Sequence, residues 1–162
     1  MGSTKYYHLL KSFIFSLSLL ILLPAQLLFS QMFTQVTTGD VVLDNGNSGG
    51  STWGDYDNDG DIDLFVTNYE KNNFLYQNNG DGTFSSIYHL IVTNDNGKSV
   101  SASWGDYDND GDEDLYVSNL NQENFLYQNT GDGAFIKITS GAIVTDMENS
   151  NSCSWVDYEL DG

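Results

Sequence analysis

Two short stretches lack the alternation of apolar and polar residues that a strand with one wet face would show. Leu64, Phe65 and Val66 are consecutive apolar residues, and so are Phe74, Leu75 and Tyr76. Successive side chains of a strand point to opposite faces, so these runs predict strands covered on both sides. The segments "DLFVTN" and "FLYQN" are rich in aromatic and β-branched residues and contain no proline, which fits them to a pleated, buried surface. Between strands, "NNGDGTF" at Asn78–Phe84 and "NTGDGAF" at Asn129–Phe135 read as hairpin turns, with Gly, Asn and Asp supplying the positive-φ residues. A serine-rich approach, "SGGSTW" or "SVSASW", predicts one more strand ahead of each acidic loop. The reading gives about four short strands per unit and no amphipathic helix beyond the first thirty residues.

The pattern recurs. Phe33, Phe84 and Phe135 are spaced by 51 residues, as are Trp53, Trp104 and Trp155. Aligning Trp53–Phe84 with Trp104–Phe135 requires no gap, and 23 of the 32 pairs are identical. The units predicted are 33–83, 84–134 and a shortened 135–162. Units of this size with strands apolar on both faces must cover one another, as stacked propeller blades or the coils of a β-solenoid do.

Each unit carries an acidic loop, "WGDYDNDGDIDLFVTN" from Trp53 and "WGDYDNDGDEDLYVSN" from Trp104. Counted from the first aspartate, the first loop has Asp55, Asp57, Asp59, Gly60, Asp61 and Asp63 at positions 1, 3, 5, 6, 7 and 9. The second has Asp106, Asp108, Asp110, Gly111, Asp112 and Asp114. Carboxylates at alternate positions converge when the backbone curls around a point, glycine at 6 permits the sharp turn, and position 7 offers its carbonyl. All these donors are hard oxygens. They suit calcium, whereas zinc or copper would require His or Cys. An EF-hand opens the same way but needs Glu at position 12 and flanking helices; Val66 and Val117 stand there, inside predicted strands. Unneutralised, the converging carboxylates repel one another, so a cation bound to the folded loop would contribute folding free energy.

The loop D-x-D-x-D-G-x-x-D, the apolar run that follows and the downstream "N-x-G-D-G-x-F" resemble the FG-GAP/VCBS repeats of integrin-α-like β-propellers. The resemblance covers about residues 33–162. It implies an all-β fold, a partial β-propeller of about two and a half four-stranded blades, with Ca2+ held in a hairpin loop of each blade. The ligands it implies are Asp55, Asp57, Asp59 and Asp63 with the carbonyl of Asp61, and Asp106, Asp108, Asp110 and Asp114 with that of Asp112. A third loop has Asp157, Glu159 and Asp161 at positions 1, 3 and 5 and stops before position 9, so it is not counted as a complete site.

Composition sharpens the picture in two ways. The first thirty residues, with Lys5 and Lys11 ahead of an apolar run from Phe13 to Phe29, read as a signal peptide in helical form ending near Ser30, with a retained membrane anchor as the alternative. The chain that follows is therefore expected to be secreted or at the cell surface, and to meet a membrane only transiently. All 23 acidic residues lie in that part, opposed by Lys71, Lys98 and Lys137, a formal balance of −20. Such a surface excludes nucleic acid as a partner. Cys153 is the single cysteine, so no internal disulfide is available and metal ions are the natural staple.

The remaining candidates are modest. Trp53, Trp104 and Trp155 read as packing residues in preference to a sugar platform. Tyr56, Tyr107 and Tyr158 could brace their loops or face solvent. Cys153 aligns with Ser51 and Ala102, small residues, and reads as a buried thiol; His89 has no partner pattern. No Ser-His-Asp order, P-loop or zinc motif is visible, so the chain is expected to be non-catalytic. Two functions remain: a calcium-stabilised module that binds an extracellular protein or carbohydrate, as in adhesion, or the propeller scaffold of a larger secreted enzyme or toxin.

Overall fold

The computed structural model describes residues 34–157. The expected signal segment lies outside them, as do Tyr158, Glu159 and Asp161. The described chain is all-β, with two four-stranded antiparallel sheets. Sheet one holds β1 (Ser48–Gly54), β2 (Asp63–Asn68), β3 (Phe74–Asn78) and β4 (Phe84–Ile87) in chain order. Sheet two repeats the order with β5 (Ser99–Gly105), β6 (Asp114–Asn119), β7 (Phe125–Asn129) and β8 (Phe135–Ile138). Each sheet takes its fourth strand from beyond a repeat-defining phenylalanine, because the hairpin turn before Phe84 or Phe135 needs both of its strands.

Register is the same in the two sheets. Trp53 faces Leu64 across β1 and β2, and Trp104 faces Leu115 across β5 and β6. A bulge falls near the start of β1, between Ser48 and Gly50, and again near the start of β5, between Ser99 and Ser101. Single-turn helices that the sequence reading did not expect begin at Asp40, Ile91 and Ala142, again 51 residues apart. They span three or four residues, too few for a 3.6-residue period to show.

The core lies between the sheets. Phe65 and Leu75 of sheet one meet Trp104, Leu115, Val117, Phe125 and Tyr127 of sheet two, with Val92 closing the edge. The Trp104 ring stands edge-on to Phe65, centroids 6.2 Å apart, and tilts against Phe135. Fully burying each such side chain contributes about 1.5–3 kcal/mol, so the interface between repeats holds much of the stability. The strands of sheet two, apolar on both faces, are thus explained: one face packs against sheet one, and the other is followed by residues 150–157.

Repetition in sequence does not give repetition in exposure. Trp104 is 7% exposed and Trp53 is 56% exposed, because the face of sheet two that carries Trp104 is covered by sheet one. The matching face of sheet one, with Ser51, Trp53 and Val66, lines an open groove. After α-turn Ala142–Thr145, residues 150–157 follow the far side of sheet two without forming a strand. There the Trp155 amide donates to Ser103 Oγ at 2.9 Å, and half-buried Cys153 lies against Ser101. His89 is exposed.

Candidate metal centres

The two acidic loops link β1 to β2 and β5 to β6. Each is wound by its own first aspartate. Asp55 accepts hydrogen bonds from the amides of Asp59 (3.1 Å) and Gly60 (3.0 Å). Asp106 accepts from Asn109, Asp110 and Gly111 at 2.7–3.1 Å. A further turn closes where Asp59 accepts the Asp61 amide at 2.9 Å and Asp110 that of Asp112 at 3.0 Å. The curl requires two positive-φ residues, two positions apart. Asn58 and Asn109 have φ of 59° and 66°, and Gly60 and Gly111 have φ of 92° and 96°; asparagine tolerates the left-handed region and glycine occupies it freely.

The winding brings carboxylates together. Asp55, Asp57 and Asp63 each present an oxygen within 4.8 Å of the others, and Asp106, Asp108 and Asp114 do the same. These are positions 1, 3 and 9. Asp59 and Asp110, at position 5, are not part of either three-carboxylate group. At position 7, Asp61 turns its carboxylate toward Gly80 of the β3–β4 turn, and Asp112 turns toward Gly131.

Strands hold the ligands from behind. Asp63 opens β2, is fully buried, and accepts the amides of Tyr56 (3.2 Å) and Asn78 (2.7 Å) on separate oxygens. Asp114 accepts those of Tyr107 and Asn129, both at 2.7 Å. From β3, Gln77 donates to Asp57 Oδ2 at 2.5 Å, and in sheet two Gln128 donates to Asp108. The other oxygen of Asp57, Oδ1, is buried and has no hydrogen-bond partner. Sequence reading missed Gln77, Asn78, Gln128 and Asn129. The signal was available: both pairs lie in "FLYQN", which is identical in the two repeats.

The electrostatics follow from this crowding. Burial pushes the Asp63 carboxyl up to about 6, and the charges of Asp57 and Asp59 add to that, against two amides that favour the anion. Asp57 and Asp114 are also raised, first by burial and then by neighbouring aspartates. Burial, together with the nearby carboxylates, lifts the Tyr56 hydroxyl to about 12, so it stays neutral. Tyr56 braces its loop: it is buried and stacks on Phe135 at 6.2 Å. Its counterpart Tyr107 is exposed.

Such a group can be stabilised by a proton or by a cation. The donor set is entirely oxygen, each carboxylate keeps lone pairs free beyond its amide bonds, and a buried carboxylate oxygen without a partner costs free energy. A hard divalent cation fits these residues.

A family model described as FG-GAP-like repeat matches residues 55–117 and again residues 106–162. The two matches begin at Asp55 and Asp106, the first carboxylates of the two loops. No curated protein matches the chain.

Proposed function

The chain belongs to the FG-GAP-like repeat family, and from that premise we propose that it is an exported, non-catalytic calcium-binding module. Its sheets are blades of a β-propeller, and Ca2+ closes the hairpin loop of each blade. The module presents its loops to an extracellular protein or carbohydrate ligand. One observation carries the metal reading: the same three carboxylates converge in both loops, and in the first a buried oxygen of Asp57 is left without a partner. The stacking of two equivalent sheets, the Phe65 face of sheet one against the Trp104 face of sheet two, supports the propeller. Export is supported by the N-terminal sequence, in which Lys5 and Lys11 precede an apolar run.

In this reading the ion is held by Asp55, Asp57 and Asp63, with Asp59 and the Asp61 carbonyl completing the site, and by Asp106, Asp108 and Asp114 with Asp110 and the Asp112 carbonyl. The bound ion supplies positive charge that offsets the repulsion among the carboxylates. Asp63 and Asp114, fixed by two amides each, set where that charge sits.

The test is thermal unfolding against calcium concentration. Each site filled at one hundred times its Kd adds about 2.7 kcal/mol to the folded state, so melting should rise by several degrees. Asp57→Ala and Asp108→Ala should each remove at least half the rise, and the double variant nearly all of it. A melting temperature indifferent to millimolar calcium would refute the metal reading.

A further inference from the structure

The first loop does not stand alone. Its opening residues are held by groups of the second repeat at three successive points. The Asp55 amide donates to Glu113 Oε2 at 2.9 Å. The Tyr56 carbonyl accepts from Asn129 Nδ2 at 2.7 Å. Asn58 Nδ2 donates to Asp112 Oδ1 at 2.6 Å. These contacts join residues 54 to 73 positions apart in the chain. They fix the backbone that carries Asp55 and Asp57, two of the three converging carboxylates of loop one.

The holding groups are themselves parts of the second loop. Asp112 and Glu113 are its positions 7 and 8. Asn129 donates its amide to Asp114, the buried carboxylate of that loop, while its side chain reaches Tyr56 and, at 3.2 Å, the Glu113 carbonyl. One asparagine therefore spans from a ligand of loop two to the peptide between two ligands of loop one. Glu113 is specific to this border: its equivalent in the first repeat is Ile62, 49% exposed, whose side chain has no atom to accept a hydrogen bond.

We propose that the two calcium loops bind as a positively coupled pair, with Glu113 and Asn129 as positioning residues through which filling loop two prepares loop one. This rests on the metal reading above. Closing loop two on its ion fixes Asp112, Glu113 and Asp114 in place, and the start of loop one hangs from those residues. Ordering that would otherwise accompany ion binding at loop one is then already complete, which raises its affinity. The effect is reciprocal: filling loop one must raise the affinity of loop two by the same factor.

The experiment is isothermal titration of the full chain with calcium. Asp108→Ala leaves loop one to be measured, and Asp57→Ala leaves loop two. Coupling of ordinary size makes each remaining site about five-fold or more weaker than in the intact protein, by the same factor in both variants. Glu113→Ala should bring that factor close to one while both sites still bind. Glu113→Gln, whose carbonyl can still accept the Asp55 amide, should restore it. A merely structural role for Glu113 would lower the metal-free melting temperature and leave the factor unchanged, and that result overturns the proposal. Equal affinities in intact and single-loop proteins also overturn it. No calcium bound by the intact protein would instead count against the metal reading itself.

Discussion

Asp63 shows most clearly what a single residue contributes. Its ordinary value is 3.8, and the folded, metal-free protein holds it at about 6. The folded state therefore takes up the proton more readily than the unfolded chain. Without metal, this residue favours the fold fully below about pH 4, and the contribution is lost as pH rises through 6. Asp57 and Asp114 shift in the same direction. A bound cation reverses the preference, since it requires the carboxylate. Melting followed in chelator should thus fall between pH 4.5 and 7, while melting in millimolar calcium should rise over the same interval. Asp63→Asn should flatten both curves near loop one and cost about 1–3 kcal/mol throughout, because an amide nitrogen would face the amide of Tyr56 or Asn78. A chelated protein that gains stability from pH 5 to 7 would contradict the assignment.

At the scale of the element, the end of the first strand of each sheet is set by a glycine after the tryptophan. A methyl group on Gly54 would come within 2.6 Å of the Trp104 ring, and one on Gly105 would overlap the Trp155 ring. The tryptophan of each repeat thus rests on the strand end of the repeat before it. Gly54→Ala should cost about 1–3 kcal/mol through overpacking, read from urea denaturation. Gly60→Ala has open space around it and only its positive φ to oppose it, which should cost about 1 kcal/mol. Equal costs would mean that the Trp104 ring yields easily. The contrast also marks the reach of sequence reading. The strands, the hairpin turns and the winding of each loop depend on neighbours within about ten residues, and hydrophobic runs and Asn-Gly chemistry expose them directly. The Trp–Gly pair was visible as a repeated dipeptide, but its cause is a partner fifty residues away. Likewise spacing alone groups Asp55, Asp57 and Asp63, but with Asp59 among them, which is not part of the three-carboxylate group. Gln77 comes from β3 and Glu113 from the next repeat, and no local pattern connects them to the first loop.

For the whole molecule, identical residues acquire different energies from what covers them. Trp53 and Trp104 share a register, a cross-strand leucine and a following glycine. Trp104 is enclosed by Phe65 of the first sheet and Phe135 of its own. Trp53 touches Phe84 edge-on and otherwise faces an open groove. Trp104→Ala should therefore destabilise the chain by about 3–5 kcal/mol, whereas Trp53→Ala should cost about 1 kcal/mol or less. The same asymmetry should appear in fluorescence, with Trp53 quenched by acrylamide in the native state and Trp104 protected. Measuring both at dilute and at high protein concentration adds a second discrimination. The face around Trp53 shares its tryptophan, leucine and valine positions (Trp53, Leu64, Val66) with the face of sheet two that sheet one covers (Trp104, Leu115, Val117). If another sheet of this kind were to settle there, Trp53 would gain protection and its substitution would become costly only in concentrated solution. If Trp53 and Trp104 were equally costly at every concentration, the open groove would not be open, and the source of stability would not be the single interface between the two sheets.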